Sequence, residues 1–132
     1  MIRIDLDSQE PLIDQIVRGL REAIASGTLP PGSELPPVRQ LANDLGVHWN
    51  TVARAYQNLQ TCGLVHSARG QGTRVTGDVE QIGRDRESTR NHLAEQARRL
   101  LTDAKLTGLP RAEWESLWQA AVASVWPSLP KS

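Results

Sequence analysis

Between residues 36 and 76 the chain carries side chains that are suited to contacts with phosphates and with the edges of bases. Asn50 and Arg54 are four residues apart, so they share one face if this segment is helical. An asparagine can bond adenine through two hydrogen bonds, and an arginine fork matches both acceptors of guanine. Arg39, in a separate helical pattern, adds another cation. These residue types indicate contact with nucleic acid rather than catalysis.

Three further candidates flank Asn50, namely His48, Trp49 and Thr51. Thr51 can bond a phosphate or contact a thymine methyl group, although Asn50 or Thr51 could instead cap the helix by accepting from free backbone N–H groups. Trp49 precedes the apolar stripe of its helix, so it either folds back onto the protein or lies against DNA, and we favour an exposed position. A solvated position or a structural ion pair is the less favoured alternative for Arg39.

A tight hairpin follows, in which Leu64-Val65 and Arg74-Val75 predict two short strands around a tip closed by Gly70 and Gly72. Glycine at such a tip lets the backbone approach sugar and phosphate closely. Arg69 at the same tip can enter a narrow minor groove, where the potential is most negative. An ordinary exposed loop charge is the alternative for Arg69.

Three apolar patterns with helical spacing precede the hairpin and must position these residues. The first begins near Pro11 and ends at Gly27, and the second follows Pro36-Pro37 and ends at the turn glycine Gly46. The third is predicted over residues 49–61. Helix, sharp turn, helix and hairpin make a winged helix-turn-helix, whose second helix in the motif enters the major groove.

The first residues predict two smaller features. Ile2, Ile4 and Leu6 alternate with polar residues, which favours a short strand. Ser8 to Glu10 offer capping groups for the first helix.

After Gly77 the composition changes, which predicts domains at residues 1–77 and 78–132. Apolar residues at steps of three, four and seven predict helices at about 79–105 and 111–126. Two such helices with little other chain are expected to pack against each other and against a second copy, which predicts a homodimer. The tail has little volume to enclose a small molecule. A site between the head and the tail, or between subunits, stays possible, so an effector is possible but unidentified. Trp114 and Trp118 could line such a site, but a core or interface position is favoured.

The composition permits this interpretation and excludes several others. The net charge is zero, which argues mildly against a nucleic-acid binder, yet residues 36–76 hold four arginines against one carboxylate. Cys62 is the only cysteine, and we expect it to be a small buried apolar group rather than a metal ligand. No apolar run approaches the roughly 18 residues of a membrane span. We expect a cytoplasmic protein that is not an enzyme and has no metal, cofactor or membrane partner.

The motifs from Pro11 to Thr73, about half of the chain, resemble those of the GntR family of bacterial transcription regulators. The matching positions are Pro11-Leu12, Gln15-Ile16, Gly27, Leu29-Pro30-Pro31-Gly32, Leu35-Pro36, Val38-Arg39, Leu41-Ala42, Leu45-Gly46-Val47, Asn50-Thr51-Val52, Arg54-Ala55-Tyr56, Leu59, Gly63-Leu64-Val65 and Gly70-Gln71-Gly72-Thr73.

The resemblance implies a sequence-specific regulator in which Arg39 and the Asn50-Thr51 pair read the groove of double-stranded DNA and Arg69-Gly70 form the wing contact. The fold it implies is mainly α with a small β wing, a winged helix-turn-helix plus a two-helix dimerisation extension. The short tail resembles the YtrA branch of the family, which implies a dimer and, as a further implication, control of membrane-transporter genes. Two-fold symmetry then predicts an inverted-repeat operator with half-sites near one helical turn apart, and repression by occluding the promoter is the simplest expected outcome.

Two departures from the family pattern lie at the expected DNA-facing surface. The branch usually has a small polar residue followed by proline where His48 and Trp49 stand, and Pro37 replaces a common serine. Both departures bear on the preferred DNA sequence.

The alternative function is a winged-helix module that binds another protein and does not bind DNA. Such a module has no need for arginines at both the helix start and the wing tip, and a steep fall of affinity with salt would argue against it.

Overall fold

The computed structural model describes residues 2–68, 70, 72–77 and 86–127. The chain divides into two compact units, Met1–Ile82 and Gly83–Ser132. The fold is mainly helical with one small sheet, as the sequence predicts. Its elements are α1 (Leu12–Ser26), α2 (Val38–Leu45), α3 (Trp49–Thr61), β1 (Val65–Ala68), β2 (Gly72–Val75), α4 (Arg86–Leu106) and α5 (Arg111–Val125).

The core of the first unit lies where α1 and α2 pack against α3. Ile16 and Leu20 of α1 are completely buried, as are Val52 and Leu59 of α3. Burying a side chain of this size stabilises the fold by about 1.5–3 kcal/mol relative to exposure. The core therefore fixes which face of α3 turns inward.

Helices α1 and α2 end at glycines, as the sequence predicts. Gly27 ends α1 and Gly46 ends α2, both in the left-handed conformation, with φ of 84° and 71°. That conformation is accessible to glycine without a steric penalty. At the start of α1, however, Ser8 does not cap the helix: its Oγ accepts from the N–H of Glu10 at 3.1 Å, and α1 begins after Pro11 without a side-chain cap.

The expected strand at residues 2–6 is wrong. This segment is irregular, and its backbone pairs with a side chain instead of a neighbouring strand. The N–H of Asp5 donates to Oε1 of Gln15 at 2.7 Å, while Nε2 of Gln15 donates to the carbonyls of Asp5 and Glu10. Gln15 is buried, and these bonds satisfy its amide, so alternation alone did not decide the local structure.

The hairpin and the loop before α2 form one connected layer. Strands β1 and β2 pair antiparallel with Val65 opposite Val75 and Ala68 opposite Gly72. The loop runs along the other side of β2, where the N–H of Leu35 donates to the carbonyl of Thr73 at 2.8 Å. The start of α2 is thereby tied to the wing.

The second unit consists of α4 and α5, joined by a turn in which Gly108 has a φ of 82°. Helix α4 is described from Arg86; the predicted start at residue 79 lies outside the described residues. Neither helix buries a residue anywhere in residues 86–127, although close packing was expected. In the described ranges, no helix is long and apolar enough to cross a membrane.

The ionisation of Tyr56 can be used to test the packing of the first unit, because Tyr56 is the only tyrosine in the chain and its signal is unambiguous. Its hydroxyl donates to the carbonyl of Pro36 at 2.6 Å, and burial raises the pKa of Tyr56 to about 12. The folded state favours the neutral phenol of Tyr56. Its contribution to the stability of the fold is therefore complete below the ordinary pKa near 10 and is lost as the pH rises through about 12.

We expect the phenolate absorbance of the native protein to develop with a midpoint near pH 12, and in urea with a midpoint near 10. A midpoint near 10 in the native protein would contradict the burial of the Tyr56 side chain.

Candidate nucleic-acid interface

Helix α3 turns an apolar face inward and a polar face outward. Val52 and Leu59 have no exposed surface, whereas Asn50 and Arg54 are exposed and Thr51 is half-buried. Within the described part of the chain, the side chains of Asn50 and Arg54 have no hydrogen bond or ion pair. Their donors and acceptors are therefore available to a partner.

His48 caps α3. Its Nδ1 accepts from the N–H of Asn50 at 3.1 Å, so the neutral ring carries its proton on Nε2. The alternative in which Asn50 or Thr51 caps the helix is therefore wrong: Asn50 takes part only through its backbone, and the N–H of Thr51 donates to the carbonyl of His48 at 3.1 Å. The cap leaves both side chains unused, and it gives His48 a structural role that sequence reasoning missed.

Trp49 does not fold back into the core. Its side chain is 44% exposed, and the guanidinium carbon of Arg39 lies over the indole at 5.4 Å from the ring centroid. This separation is within the range of a cation–π contact. The imidazole of His48 lies 5.5 Å from the indole and is tilted by 31°. Residues from the start of α2 and the start of α3 thus form one cluster.

In the described residues, the tip of the wing offers its glycine backbone to this surface. Gly70 is exposed at the tip with a φ of 78°, and Gly72 begins β2 with a φ of 71°. A Cβ on Gly72 would lie 2.6 Å from Oε1 of Glu34, at the end of a flexible side chain that can move, so the positive φ is what favours glycine here. Arg69, the predicted minor-groove residue, lies outside the described residues.

Arg74 does not add to the free positive charge of this region. Its Nη1 donates to the carbonyl of Gly32 at 3.1 Å, and its Nη2 lies 3.8 Å from Oε2 of Glu34. The count of four arginines between residues 36 and 76 therefore overstates the cations available to a phosphate backbone. Among the described residues of that segment, Arg39 and Arg54 are the arginines without a carboxylate within ion-pair distance.

A polar chain that sequence reasoning missed connects α3 to the wing. Nε2 of Gln60 donates to Oγ of Ser67, which shares a hydrogen bond with Oγ1 of Thr73 at 3.2 Å. Gln60 and Ser67 lie outside every motif, and Thr73 belongs to the Gly70-Gln71-Gly72-Thr73 match without any indication of these partners, so the sequence carries no signal for this link. It fixes the wing relative to the helix that carries Asn50 and Arg54.

The prediction of a buried Cys62 is wrong. Cys62 is exposed, because it follows the last buried residue of α3 and serves as its C-cap. No group of three potential ligands from His, Cys, Asp and Glu converges in the ranges that the structure covers.

The second unit contains an open groove between α4 and α5. Its volume is about 430 Å³, and it is a surface groove rather than an enclosed cavity. Trp114 and Trp118 lie on one side with ring centroids 6.1 Å apart, and Leu101 lies on the other. Arg111 at the rim is held by Glu115 at 2.8 Å.

Comparison with known proteins identifies the architecture. The family model for bacterial regulatory proteins of the gntR family matches residues 12–75. The chain is 33% identical over 109 residues to the HTH-type transcriptional repressor YtrA of Bacillus subtilis, covering 83% of this chain and 82% of that protein.

Two solved structures have the same fold. YtrA from Sulfolobus acidocaldarius, a GntR-family transcription factor, superposes with a TM-score of 0.60 at 36% identity, covering 76% of this chain and 97% of that one. The DNA-binding domain of AraR, solved in complex with operator ORE1, superposes with a TM-score of 0.50 at 25% identity, over 58% of this chain and 93% of that one. The present chain belongs to the GntR family of DNA-binding transcriptional regulators and is similar to its YtrA-like members.

Proposed function

We propose that this chain acts in the cytoplasm as a homodimeric repressor that binds an inverted-repeat operator through α3 and the wing. One observation carries the proposal. Asn50 and Arg54 project from the outward face of α3, free of partners in the described chain, while the opposite face of the helix is locked into the core. A helix that is fixed on one side and chemically unoccupied on the other is suited to entering the major groove.

Four side chains on this surface have a defined task in this proposal. Asn50 bonds the edge of an adenine, and Thr51 contacts a phosphate or a thymine methyl group. Arg54, one turn further along α3, bonds a phosphate or a base. Arg39 reaches the same groove from the start of α2.

The wing grips the adjacent sugar-phosphate backbone. Gly70 at its tip has no side chain to hold the backbone away, and Arg69 beside it enters the minor groove. The hydrogen bonds from Gln60 to Ser67 and onward to Thr73 keep this tip in register with α3. Helix and wing thereby act on neighbouring grooves as one surface.

The second unit supplies the dimer contact. Leu93, Leu100 and Leu101 of α4 and Leu117 and Trp118 of α5 are exposed in the single chain. Apolar side chains at this density are stabilised when a second copy covers them. The predicted partner is therefore an identical chain, and two-fold symmetry gives half-sites about one helical turn apart.

The named relatives support this function. The B. subtilis protein is a transcriptional repressor, and the AraR domain was solved with its operator. Repression by occluding a promoter needs only the DNA-binding surface and the dimer contact. Control of transporter genes stays a prediction from the resemblance to the YtrA branch.

Arg54→Ala should weaken binding to an operator duplex on the order of tenfold, because it removes one cation from the surface that faces DNA. If Arg54 contacts a phosphate, the slope of log affinity against log salt should also fall by about 0.9 per subunit. The measurement is a gel-shift titration at several salt concentrations, with the region upstream of the chain's own gene as probe.

Arg21→Ala is the matched control for this experiment. Arg21 is an exposed arginine of α1, the helix that packs on the inward side of α3. The control should bind like the unaltered protein. Equal losses for both variants, or an affinity that is insensitive to salt, would contradict the assigned surface and favour a module that binds protein.

The dimer contact is tested by Leu100→Asp combined with Leu117→Asp, since each places a charge on the apolar face of its helix. We expect the molar mass from sedimentation to fall from dimer to monomer. Affinity for an inverted repeat should fall on the order of a hundredfold as bivalent binding is lost.

Asn91→Asp is the control, because it adds a similar charge on the opposite side of α4. It should leave the mass and the affinity unchanged. A monomeric unaltered protein at concentrations that saturate the DNA would overturn the homodimer.

A further inference from the structure

The contact between Arg39 and Trp49 joins the two helices of the helix-turn-helix at the surface that faces DNA. Arg39 is the second residue of α2, and Trp49 is the first residue of α3. The guanidinium carbon of Arg39 lies 5.4 Å from the indole centroid, and both side chains are exposed. A guanidinium is attracted to the electron-rich face of an indole, so this contact restrains Arg39 without a hydrogen bond.

The restraint leaves the donors of Arg39 unused. In the part of the chain that the structure describes, its guanidinium has no hydrogen bond and no carboxylate within ion-pair distance. Arg74 shows the contrast, since Gly32 and Glu34 occupy its donors. An unrestrained arginine side chain loses considerable rotamer freedom when it binds, and a preorganised one loses less.

Trp49 is itself held at a fixed place. It begins α3 directly after the cap, in which Nδ1 of His48 accepts from the N–H of Asn50. The imidazole of His48 also lies 5.5 Å from the indole. The indole is thus anchored to the helix start, next to the residues assigned to the groove.

From this geometry we infer that Trp49 is a positioning residue, which holds Arg39 so that its fork reads one guanine in each operator half-site. The inference rests on the proposed function and extends it to the preferred sequence. Guanine is the base that the arginine fork recognises with two hydrogen bonds, to O6 and N7. Trp49 acts through Arg39 and need not contact a base.

The experiment begins by selecting duplexes from a random-sequence pool with the full chain. Affinities for the selected duplex, and for duplexes altered at each position, are then measured for Trp49→Ala, Arg39→Ala, the double variant and Trp49→Phe. We expect Trp49→Ala to weaken binding by about fivefold. It should reduce the preference for guanine at the same position at which Arg39→Ala abolishes it.

The double variant separates positioning from direct contact. When Arg39 is already alanine, Trp49→Ala should weaken binding by less than about twofold, because the residue it positions is gone. Trp49→Phe should retain most of the guanine preference, since a phenyl ring also offers a face to the cation. Both residues are exposed, so thermal unfolding of the variants should match that of the unaltered protein.

Two results would overturn the inference and leave the proposed function in place. One is an equal loss from Trp49→Ala with and without Arg39, which would make Trp49 a direct DNA contact. The other is an unchanged base preference in Trp49→Ala while Arg54→Ala still weakens binding. Failure of the unaltered protein to enrich any sequence would overturn the proposed function as well.

Discussion

The candidate DNA-binding surface depends on the burial of one side of α3. Val52 and Leu59 are completely buried against α1 and α2, and this packing sets the rotation of the helix about its own axis. A rotation that exposed them would carry Asn50 and Arg54 into an apolar core, where an unpaired guanidinium has a large desolvation penalty. The chemistry of the outward face is therefore a consequence of packing on the inward face.

A few hydrogen bonds connect α3 to the two other parts of this surface, the start of α2 and the wing. The hydroxyl of Tyr56 ties α3 to Pro36 at the entrance of α2, and Leu35 in the preceding loop pairs with Thr73 of the wing. The hydrogen bond from Gln60 to Ser67 connects α3 directly to the hairpin. The start of α2, α3 and the wing are thus linked to one another within the first unit, and small core changes are expected to affect all three together.

The sequence predicted the features that local spacing determines. The limits of α3 and the turn at Gly46 follow from apolar periodicity and from a glycine with positive φ. One error concerns a partner distant in sequence: the backbone of Asp5 bonds the amide of Gln15, ten residues further along, and that partner left no trace in the alternation. The cap by His48 was missed because Asn50 and Thr51 are the commoner residue types for that role. The Arg39–Trp49 contact depends on the angle between two helices, which spacing along one helix does not encode.

A chain of zero net charge can bind a polyanion if its carboxylates pair with some of its arginines and leave other arginines unpaired. Glu10 is paired with Arg18, and Glu34 with Arg74, so these cations and anions neutralise each other within the protein. Arg39 is restrained differently. A carboxylate would hold this guanidinium equally well but would cancel its charge and occupy its donors, whereas the neutral indole of Trp49 does neither. An aromatic partner is therefore the chemically suitable choice wherever a cation must be both fixed in place and available to DNA.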